Sequence, residues 1–225
     1  ISNKYLYDQL VNDFICQLKK NKKHTSVGIS GGSTFKTFYK FLIKKKIDLK
    51  NLNITLTDER CVPRKNFQSN TGNITRELID KLASRPAINE IYNNNLSIKK
   101  NLSNLKDSKN KLFPFDILLL GMGDDGHIAS IFSDINKIKL KKIMNPENKD
   151  ISSYIKTKKS IVPRITLNIS VLLNSTKIFL ILPKKKKLEV FKRSLIEKDE
   201  FKYPIYSIFK YLNDKTKITI YSKKW

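Results

Sequence analysis

His127 ends a run in which a short apolar segment, residues 115–120, leads into three glycines and two aspartates. A fully apolar strand of this kind is typical of a parallel sheet that is buried on both faces. Ligands of such sheets bind at the carboxyl ends of the strands. Because histidine titrates near neutral pH, the run predicts that His127 stands at the mouth of a cleft and acts as a general base.

The glycines Gly121, Gly123 and Gly126 also have the spacing of a dinucleotide-binding fingerprint. We reject that interpretation because Asp124 and Asp125 lie inside the turn and would repel a pyrophosphate. The acidic residue that holds the ribose is also missing about 20 residues farther on, where the sequence is basic and irregular.

A second candidate site is the turn at residues 30–34, with the sequence SGGST, between a predicted strand and a predicted helix. Glycines let the backbone approach an anion, and the N–H groups at a helix N-terminus favour negative charge. The candidates for binding a phosphate here are Gly31, Gly32, Ser33 and Thr34. A tight turn with Ser33 as the helix cap explains the same sequence equally well.

Charged residues mark three more strand ends or helix starts. Asp58-Glu59-Arg60 ends the predicted strand 52–57, where a carboxylate and a guanidinium could orient substrate and stabilise an oxyanion. A surface ion pair explains that run slightly better from sequence alone. Arg164 lies at the edge of a predicted strand and could bind phosphate. Residues 184–187 are four lysines at a helix start, where they oppose the helix dipole unless an anion is bound, although a solvated charge run is the commoner explanation.

Composition predicts one α/β domain over residues 1–225, since 225 residues with 40% hydrophobic side chains can bury a sizeable core. Strand and helix patterns alternate from residue 25 to the end, which predicts a doubly wound, mostly parallel sheet with helices on both faces. No apolar run approaches the ~18 residues of a membrane span. We therefore expect a cytoplasmic protein without a membrane partner, in which Cys16 and Cys61 are reduced thiols. Two histidines and two cysteines predict no zinc site.

The net charge of +25 suggests nucleic acid or anionic substrates as partners. The lysines are scattered and far outnumber the arginines, which indicates compositional bias instead of a nucleic-acid surface. We therefore expect no nucleic-acid partner, although a basic, non-enzymatic nucleic-acid-binding domain stays an alternative. The positive field would in either case attract a phosphorylated substrate.

Periodicity and flanking residues predict the positions of the elements. The predicted helices are 4–20, 35–43, 71–82, a part of 93–106, 185–196 and 204–211, with a helical turn at 171–173. The predicted strands are 25–29, 52–57, 115–120, 164–167, 178–182 and 217–221. The rest of 84–114 and the segment 133–152 give no clear pattern.

The order of the motifs resembles the 6-phosphogluconolactonase family, whose wider group includes glucosamine-6-phosphate deaminase. The motifs are SGGST (30–34), TDER (57–60), the pair Ser69-Asn70, LLLGMGDDGHIAS (118–130) and PRITLN (163–168). The resemblance extends from about residue 25 to residue 195. It implies a fold like that of the deaminase and of ribose-5-phosphate isomerase, and no cofactor. The implied reaction is hydrolysis of 6-phospho-D-glucono-1,5-lactone in the oxidative pentose phosphate pathway.

The resemblance also implies roles for individual residues. His127 corresponds to the base that activates water, and Asp125 supports it. Arg60 corresponds to an electrostatic partner of the lactone or its tetrahedral intermediate, and Asp58 to a residue that orients the substrate or the base. The family's phosphate pocket maps onto Gly31, Gly32, Ser33, Thr34, Arg164 and, with the register of the lysine run left open, Lys187. No metal is implied.

Three positions distinguish the two branches of this group. Ile128 replaces the threonine usual in lactonases and matches the deaminases. Phe132 stands where deaminases carry a glutamate, no carboxylate follows until Asp134, and Arg60 stands where deaminases have tyrosine. The last two differences favour a phosphorylated sugar lactone as substrate, and an amino-sugar-phosphate deaminase or isomerase stays the alternative. Some lactonases are fused to glucose-6-phosphate dehydrogenase, so fusion to it or action beside it is left open.

Overall fold

The computed structural model describes residues 3–20 and 24–223. Nine strands lie within these residues: β1 (Thr25–Ile29), β2 (Leu52–Leu56), β3 (Asp58–Arg60), β4 (Ala87–Asn89), β5 (Phe115–Gly121), β6 (Ser152–Thr157), β7 (Ser160–Leu167), β8 (Ser175–Leu182) and β9 (Lys217–Ser222). Six of them form a parallel sheet in the order β4-β2-β1-β5-β8-β9. The other three form a small antiparallel sheet in the order β3-β7-β6.

Helices alternate with the strands, as the sequence predicts. They are α1 (Asn3–Lys20), α2 (Ser33–Lys44), α3 (Asn70–Glu77), α4 (Ile98–Asp107), α5 (Lys109–Leu112), α6 (Lys137–Ile143), α7 (Ile169–Leu173), α8 (Lys185–Glu197) and α9 (Ile205–Lys210), with a short 3₁₀ turn at Ile79–Lys81. In the middle of β5, every residue from 117 to 120 is fully buried. Since successive side chains of a strand point to opposite faces, helices cover both faces of the sheet there. The predicted doubly wound α/β fold is confirmed.

The helices form because their apolar residues recur at helical spacing. In α2, Phe35, Phe38, Tyr39 and Leu42 follow one another at intervals of three, one and three residues, and all four are buried. This is the pattern of an amphipathic helix that packs one face on the sheet. α1 lies against α2, and the edge-to-face contact between Phe14 and Phe38, with ring centroids 5.4 Å apart, joins them.

The strand order reverses between β1 and β5. From β1 the chain continues outward to β2 and β4, and it then returns to β5 on the other side of β1. At this point the Ser30 N–H donates a hydrogen bond to the Leu119 carbonyl over 3.0 Å. Ligands of open α/β sheets bind where the order reverses, at the carboxyl ends of the strands. The turns after β1 and β5 are therefore placed at the position where a site is expected.

The small antiparallel sheet corrects the sequence prediction for Asp58-Glu59-Arg60. These residues do not end β2 but form β3 of the second sheet. Thr57 is the point of transfer between the sheets. Its N–H donates to Ile29 in β1 over 3.0 Å, and its carbonyl accepts from Leu167 in β7 over 2.8 Å. The residues after Thr57 consequently leave the main sheet.

Other differences concern element limits. The strand predicted at 164–167 begins at Ser160, and the helix predicted at 71–82 ends at Glu77, followed by the 3₁₀ turn. The sequence missed β4 and β6 and gave no assignment for α6. Residues 1–2, 21–23 and 224–225 of the predicted single domain lie outside the described residues, and its limits stay a prediction. No helix among the described residues combines the length and apolar character that crossing a membrane requires.

Candidate active site

A cleft of about 290 Å³ opens at the carboxyl ends of β1 and β5. All predicted site residues except Asp125 line it: Gly31, Gly32, Ser33, Thr34, Asp58, Arg60, His127, Arg164 and Lys187. Further lining residues that the sequence did not assign to a site are Ser30, Asn70, Gly121, Met122, Gly123, Asp124, Ala129 and Lys184. The structure thus brings the histidine, the two arginines and the SGGST turn to one cavity, although they come from four separate segments.

The turn after β5 fixes the imidazole of His127. Nδ1 lies 2.5 Å from Oδ1 of Asp125. Asp125 itself does not line the cleft and contacts it through the imidazole. A carboxylate only accepts hydrogen bonds, so in the neutral ring Nδ1 carries the proton and Nε2 keeps a lone pair for a water or substrate. A Cβ on Gly123 would lie 2.1 Å from two atoms of the ring. A glycine is therefore required for the imidazole to lie against the turn.

Two side chains, His127 and Lys159, donate hydrogen bonds to Asp125 and keep its carboxyl group ionised. Half-burial by itself would raise the pKa of this carboxyl, but hydrogen bonds from His127 and Lys159 outweigh burial and hold the pKa well below its usual range. Lys159 lies in the turn between β6 and β7, and its Nζ contacts Oδ2 of Asp125. Sequence reasoning missed Lys159 because β6 was not predicted and the contact spans 34 residues.

The small sheet presents two arginines to the cleft. Arg60 in β3 and Arg164 in β7 are direct cross-strand partners, so their side chains leave the same face of the sheet. Both Nε atoms are buried, and neither has a hydrogen-bond partner among the residues that the structure describes. Like charges in such a pair repel, and buried donors without partners cost free energy. The pair is therefore suited to an anionic or strongly polar ligand.

Other contacts fix the direction of each guanidinium. Arg60 donates through a terminal nitrogen to the Gln68 carbonyl over 2.5 Å, and Arg164 donates to Ser130 Oγ over 3.3 Å. Burial lowers the pKa of Arg164, an effect that Asp58 opposes from 3.8 Å. Asp58 also accepts a hydrogen bond from Ser130 Oγ over 2.5 Å. The buried Asp58 carboxylate thus holds Arg164 and Ser130 in place.

Glu59 points away from these residues, because neighbours in a strand face opposite sides. Its buried carboxylate accepts hydrogen bonds from the N–H groups of Asn70 and Thr71 over 2.7 and 2.6 Å, and from Ser69 Oγ over 3.1 Å. These groups begin α3, where a negative charge is favourable. Glu59 therefore anchors the start of α3, which carries Asn70 into the cleft.

Asn70 brings an unsatisfied acceptor into the site. Its Nδ2 donates to the Asp58 carbonyl over 2.9 Å, which fixes the amide orientation and turns Oδ1 the other way. Oδ1 is buried and has no hydrogen-bond partner within the described part of the chain. A Cβ on Gly31 would lie 2.1 Å from this atom. Gly31 thus allows the SGGST turn to approach Asn70 closely.

The SGGST turn leaves backbone donors available. Gly32 has a φ of 99° and is the residue that caps α2, so Ser33 is the first helical residue and not the cap. No side chain caps the helix. The first N–H groups of α2 are therefore open to an anion in the cleft.

The lysine run contributes two residues to the cleft: Lys184, the extended residue that precedes α8, and Lys187 in the first turn of α8. Nζ of Lys187 donates to the Met122 carbonyl over 2.6 Å and lies 4.0 Å from Oδ1 of Asp124. Burial lowers the pKa of Lys187, and Asp124 opposes this. Two lysines of the run thus line the cleft, and the assignment of Lys187 to the phosphate stays a prediction.

Position 132, where the deaminases carry a glutamate, is occupied by Phe132 in this chain. The Phe132 ring lies 4.3 Å from the His127 ring and 5.2 Å from the guanidinium carbon of Arg164, measured from its centroid. Asp134 instead binds the β6–β7 turn, accepting from Thr157 Oγ1 over 2.7 Å. Across residues 3–20 and 24–223, no group of three or more His, Cys, Asp or Glu side chains has a metal-binding arrangement.

Comparison with known proteins gives consistent matches. The family described as glucosamine-6-phosphate isomerases/6-phosphogluconolactonase matches residues 2–218. A 6-phosphogluconolactonase of Rhizobium meliloti is 28% identical over 181 residues, which are 80% of this chain and 77% of that protein. The crystal structure of a 6-phosphogluconolactonase from Shewanella baltica has a TM-score of 0.87 at 27% identity and covers 99% of this chain and 95% of its own. A monomeric glucosamine-6-phosphate deaminase, with a TM-score of 0.75 at 17% identity over 99% of this chain and 95% of its own, shares the fold.

Proposed function

Because the chain belongs to the family of glucosamine-6-phosphate isomerases and 6-phosphogluconolactonases, we propose that it is a 6-phosphogluconolactonase. It hydrolyses 6-phospho-D-glucono-1,5-lactone to 6-phosphogluconate, a step of the pentose phosphate pathway. The observation that carries the proposal is the shared cleft: a histidine with a free Nε2 and a set of unsatisfied cationic and N–H donors line one cavity. A phosphorylated sugar lactone fits such a cavity, because its lactone group can reach the histidine while its phosphate binds the cationic and N–H donors.

The phosphate is held by the open N–H groups at the start of α2 together with Arg164 and Lys187. A helix N-terminus and a guanidinium both match phosphate oxygens in charge and geometry. A phosphate fixed at one end of the cleft holds the sugar ring in one orientation. Fixing the reacting groups in this way lowers the entropy cost of reaching the transition state.

His127 acts as the general base. Its Nε2 takes a proton from a water as the water oxygen attacks C1 of the lactone, and the carbonyl oxygen becomes an oxyanion. Arg60 stabilises that oxyanion, a contribution of ~2.7–4 kcal/mol for one well-placed donor. The C1–O bond to the ring oxygen then breaks, and the imidazolium returns its proton to that leaving oxygen.

Asn70 and Asp58 have supporting roles in this mechanism. The unpartnered Oδ1 of Asn70 accepts a hydrogen bond from a hydroxyl group of the substrate. A phosphate or lactone oxygen cannot fill this role, because it has no hydrogen to donate. Asp58 keeps Arg164 aligned through its 3.8 Å ion pair and its bond with Ser130. It is therefore a positioning residue and not a second base.

The apolar ring at position 132 favours the lactonase over the deaminase. Phe132 packs against both the His127 ring and Arg164, so position 132 supplies no carboxylate. The carboxylate that does contact the imidazole belongs to Asp125, and it is bound to Nδ1 and to Lys159. Asp134 is occupied by Thr157 and the Lys158 N–H. The cleft therefore lacks the glutamate that would shuttle protons during ring opening of an amino sugar.

The test is an assay with lactone generated freshly from glucose 6-phosphate, with 6-phosphogluconate formation followed by a coupled reduction. We expect the unmodified protein to accelerate hydrolysis above the spontaneous rate, and His127→Ala to lose at least about a hundredfold of that activity. His24→Ala, the matched control at the second and exposed histidine, retains it. Hydrolysis no faster than the spontaneous rate, or ammonia release from glucosamine 6-phosphate, would refute the proposal.

The expectations of a cytoplasmic location, of no nucleic-acid partner and of a role beside glucose-6-phosphate dehydrogenase stay predictions.

A further inference from the structure

The β6–β7 hairpin reaches the catalytic turn through one side chain. Nζ of Lys159 binds Oδ2 of Asp125, while Oδ1 of the same carboxylate binds Nδ1 of His127. The three groups form a continuous chain of ammonium, carboxylate and imidazole. The mechanism proposed above uses the imidazole as the base but gives the carboxylate and the ammonium no role.

The tip of the hairpin is anchored, which distinguishes Lys159 from an ordinary surface lysine. Asp134 accepts hydrogen bonds from Thr157 Oγ1 over 2.7 Å and from the Lys158 N–H over 2.9 Å. The Lys159 N–H in turn donates to Thr157 Oγ1 over 3.1 Å. Lys159 therefore extends from a backbone that is fixed on both sides of the turn.

We propose that Lys159 is a positioning residue for His127: its ammonium occupies the second oxygen of Asp125 and so fixes the carboxylate plane that orients the imidazole. The proposal rests on the function of His127 as the base. A carboxylate bound at one oxygen only can rotate about its Cβ–Cγ bond, and the imidazole can then follow it. With both oxygens bound, Nε2 stays directed to the cleft.

The same contact changes the protonation of the imidazole, and the sign follows from the charges. The Asp125 carboxylate favours the imidazolium, whereas the Lys159 ammonium disfavours it by offsetting that charge and by direct repulsion. Removing the ammonium should therefore raise the pKa of His127. The variant leaves the other charged or titratable groups around this turn unchanged: Asp124 in the turn, Lys184 before α8, Lys187 in α8, Arg164 from β7, Asp58 and Arg60 from β3, and Tyr203 beside Gly126.

The variant Lys159→Met removes the ammonium and keeps the length of the side chain. Lys158→Met is the matched control, since it removes the same charge from the next residue, whose contact with Asp134 is made through the backbone. The pKa of His127 is read from the imidazole signals in NMR. The chain has two histidines, and His24→Gln assigns them.

We expect Lys159→Met to raise the pKa of His127, because the variant removes a positive charge bound to the carboxylate that contacts the ring. Lys158→Met should shift it by less than half as much, and Lys159→Arg should restore the original value. In the lactone assay the acid limb of kcat/KM moves to higher pH by the same amount. At the pH plateau kcat falls several-fold, while KM stays equal to that of Lys158→Met.

Equal shifts in Lys158→Met and Lys159→Met, no shift, or a fall in the pKa of His127 would overturn the proposal. An unchanged plateau kcat in Lys159→Met would overturn the positioning role even if the pKa moved. If the unmodified protein does not hydrolyse the lactone, the proposed function fails. The imidazole titration still decides whether Lys159 acts on His127 through Asp125.

Discussion

Replacing Gly123 with alanine changes the position of the imidazole and little else. The new Cβ would lie 2.1 Å from Nδ1 and Cε1 of His127 and 2.8 Å from Oδ1 of Asp125. Non-bonded carbon atoms need about 3.5 Å, so the ring must move by more than about 1 Å. Positive φ values among the described glycines belong to Gly32 and Gly126, so alanine at position 123 is not strained in its backbone. The effect is therefore steric.

A displacement of about 1 Å in a catalytic group costs on the order of 10²-fold in rate. We expect kcat for the lactone to fall by this factor in Gly123→Ala. KM should change less than about threefold, because the phosphate donors lie on α2, α8 and β7 and do not touch Gly123. Steady-state kinetics with fresh lactone separates the two parameters, and thermal unfolding shows whether the variant folds.

Gly121→Ala is the control from the same turn. Its Cβ would meet the Phe35 ring at 3.2 Å, a contact that a shift of a few tenths of an ångström relieves. This variant should lose far less activity than Gly123→Ala. A kcat for Gly123→Ala within about threefold of the unmodified protein would refute the reasoning, because a base displaced by 1 Å cannot keep its rate.

Two further predictions concern the cationic pair and its support. Arg164→Ala removes a phosphate donor and should raise KM at least about tenfold with a smaller change in kcat; steady-state kinetics checks this, and an unchanged KM would place the phosphate elsewhere. Glu59→Gln should lower the free energy of unfolding by about 2 kcal/mol, because an amide nitrogen would face N–H donors that now bind a carboxylate. Urea denaturation measures this loss, and a change below about 0.5 kcal/mol would show that the carboxylate does not anchor α3.

The local chemistry of the site could be predicted from the sequence, because each motif combines an apolar strand with an unusual turn. Residues 117–120 are apolar on both faces and lead into the glycine-rich turn, so both the strand and the place of His127 follow from the local pattern. The SGGST turn follows β1 in the same way. The rule that strands of a parallel sheet share one carboxyl edge then brings the two turns together.

The small antiparallel sheet could not be predicted, because its pairing is long-range and its strands have no clear pattern. Asp58-Glu59-Arg60 is three charged residues, and it pairs with a strand about 100 residues later in the chain. Unless that sheet is known, the pairing of Arg60 with Arg164 across two strands cannot be predicted. Lys159 was missed for the same reason, since only the β6–β7 hairpin brings it to Asp125.

The side chains of Asp58 and Glu59 point in opposite directions because both residues lie in β3. In a strand, one of two adjacent carboxylates must face the cleft and the other must face α3. The sequence analysis placed these residues at the end of the strand before them, which is wrong, and so could not predict this division. Glu59 therefore had no predicted role, although it receives hydrogen bonds from the residues that place Asn70.

A crystal structure of the protein with bound 6-phosphogluconate tests most directly whether the base and the anion site serve one ligand. We expect the phosphate oxygens within about 3.2 Å of the N–H groups at the start of α2 and of Arg164 or Lys187. The carboxylate at C1 should lie within the same distance of Arg60, with a bound water donating to it and to the lone pair of Nε2 of His127. A phosphate bound outside the SGGST turn, or a C1 carboxylate that contacts neither His127 nor Arg60, would contradict the account.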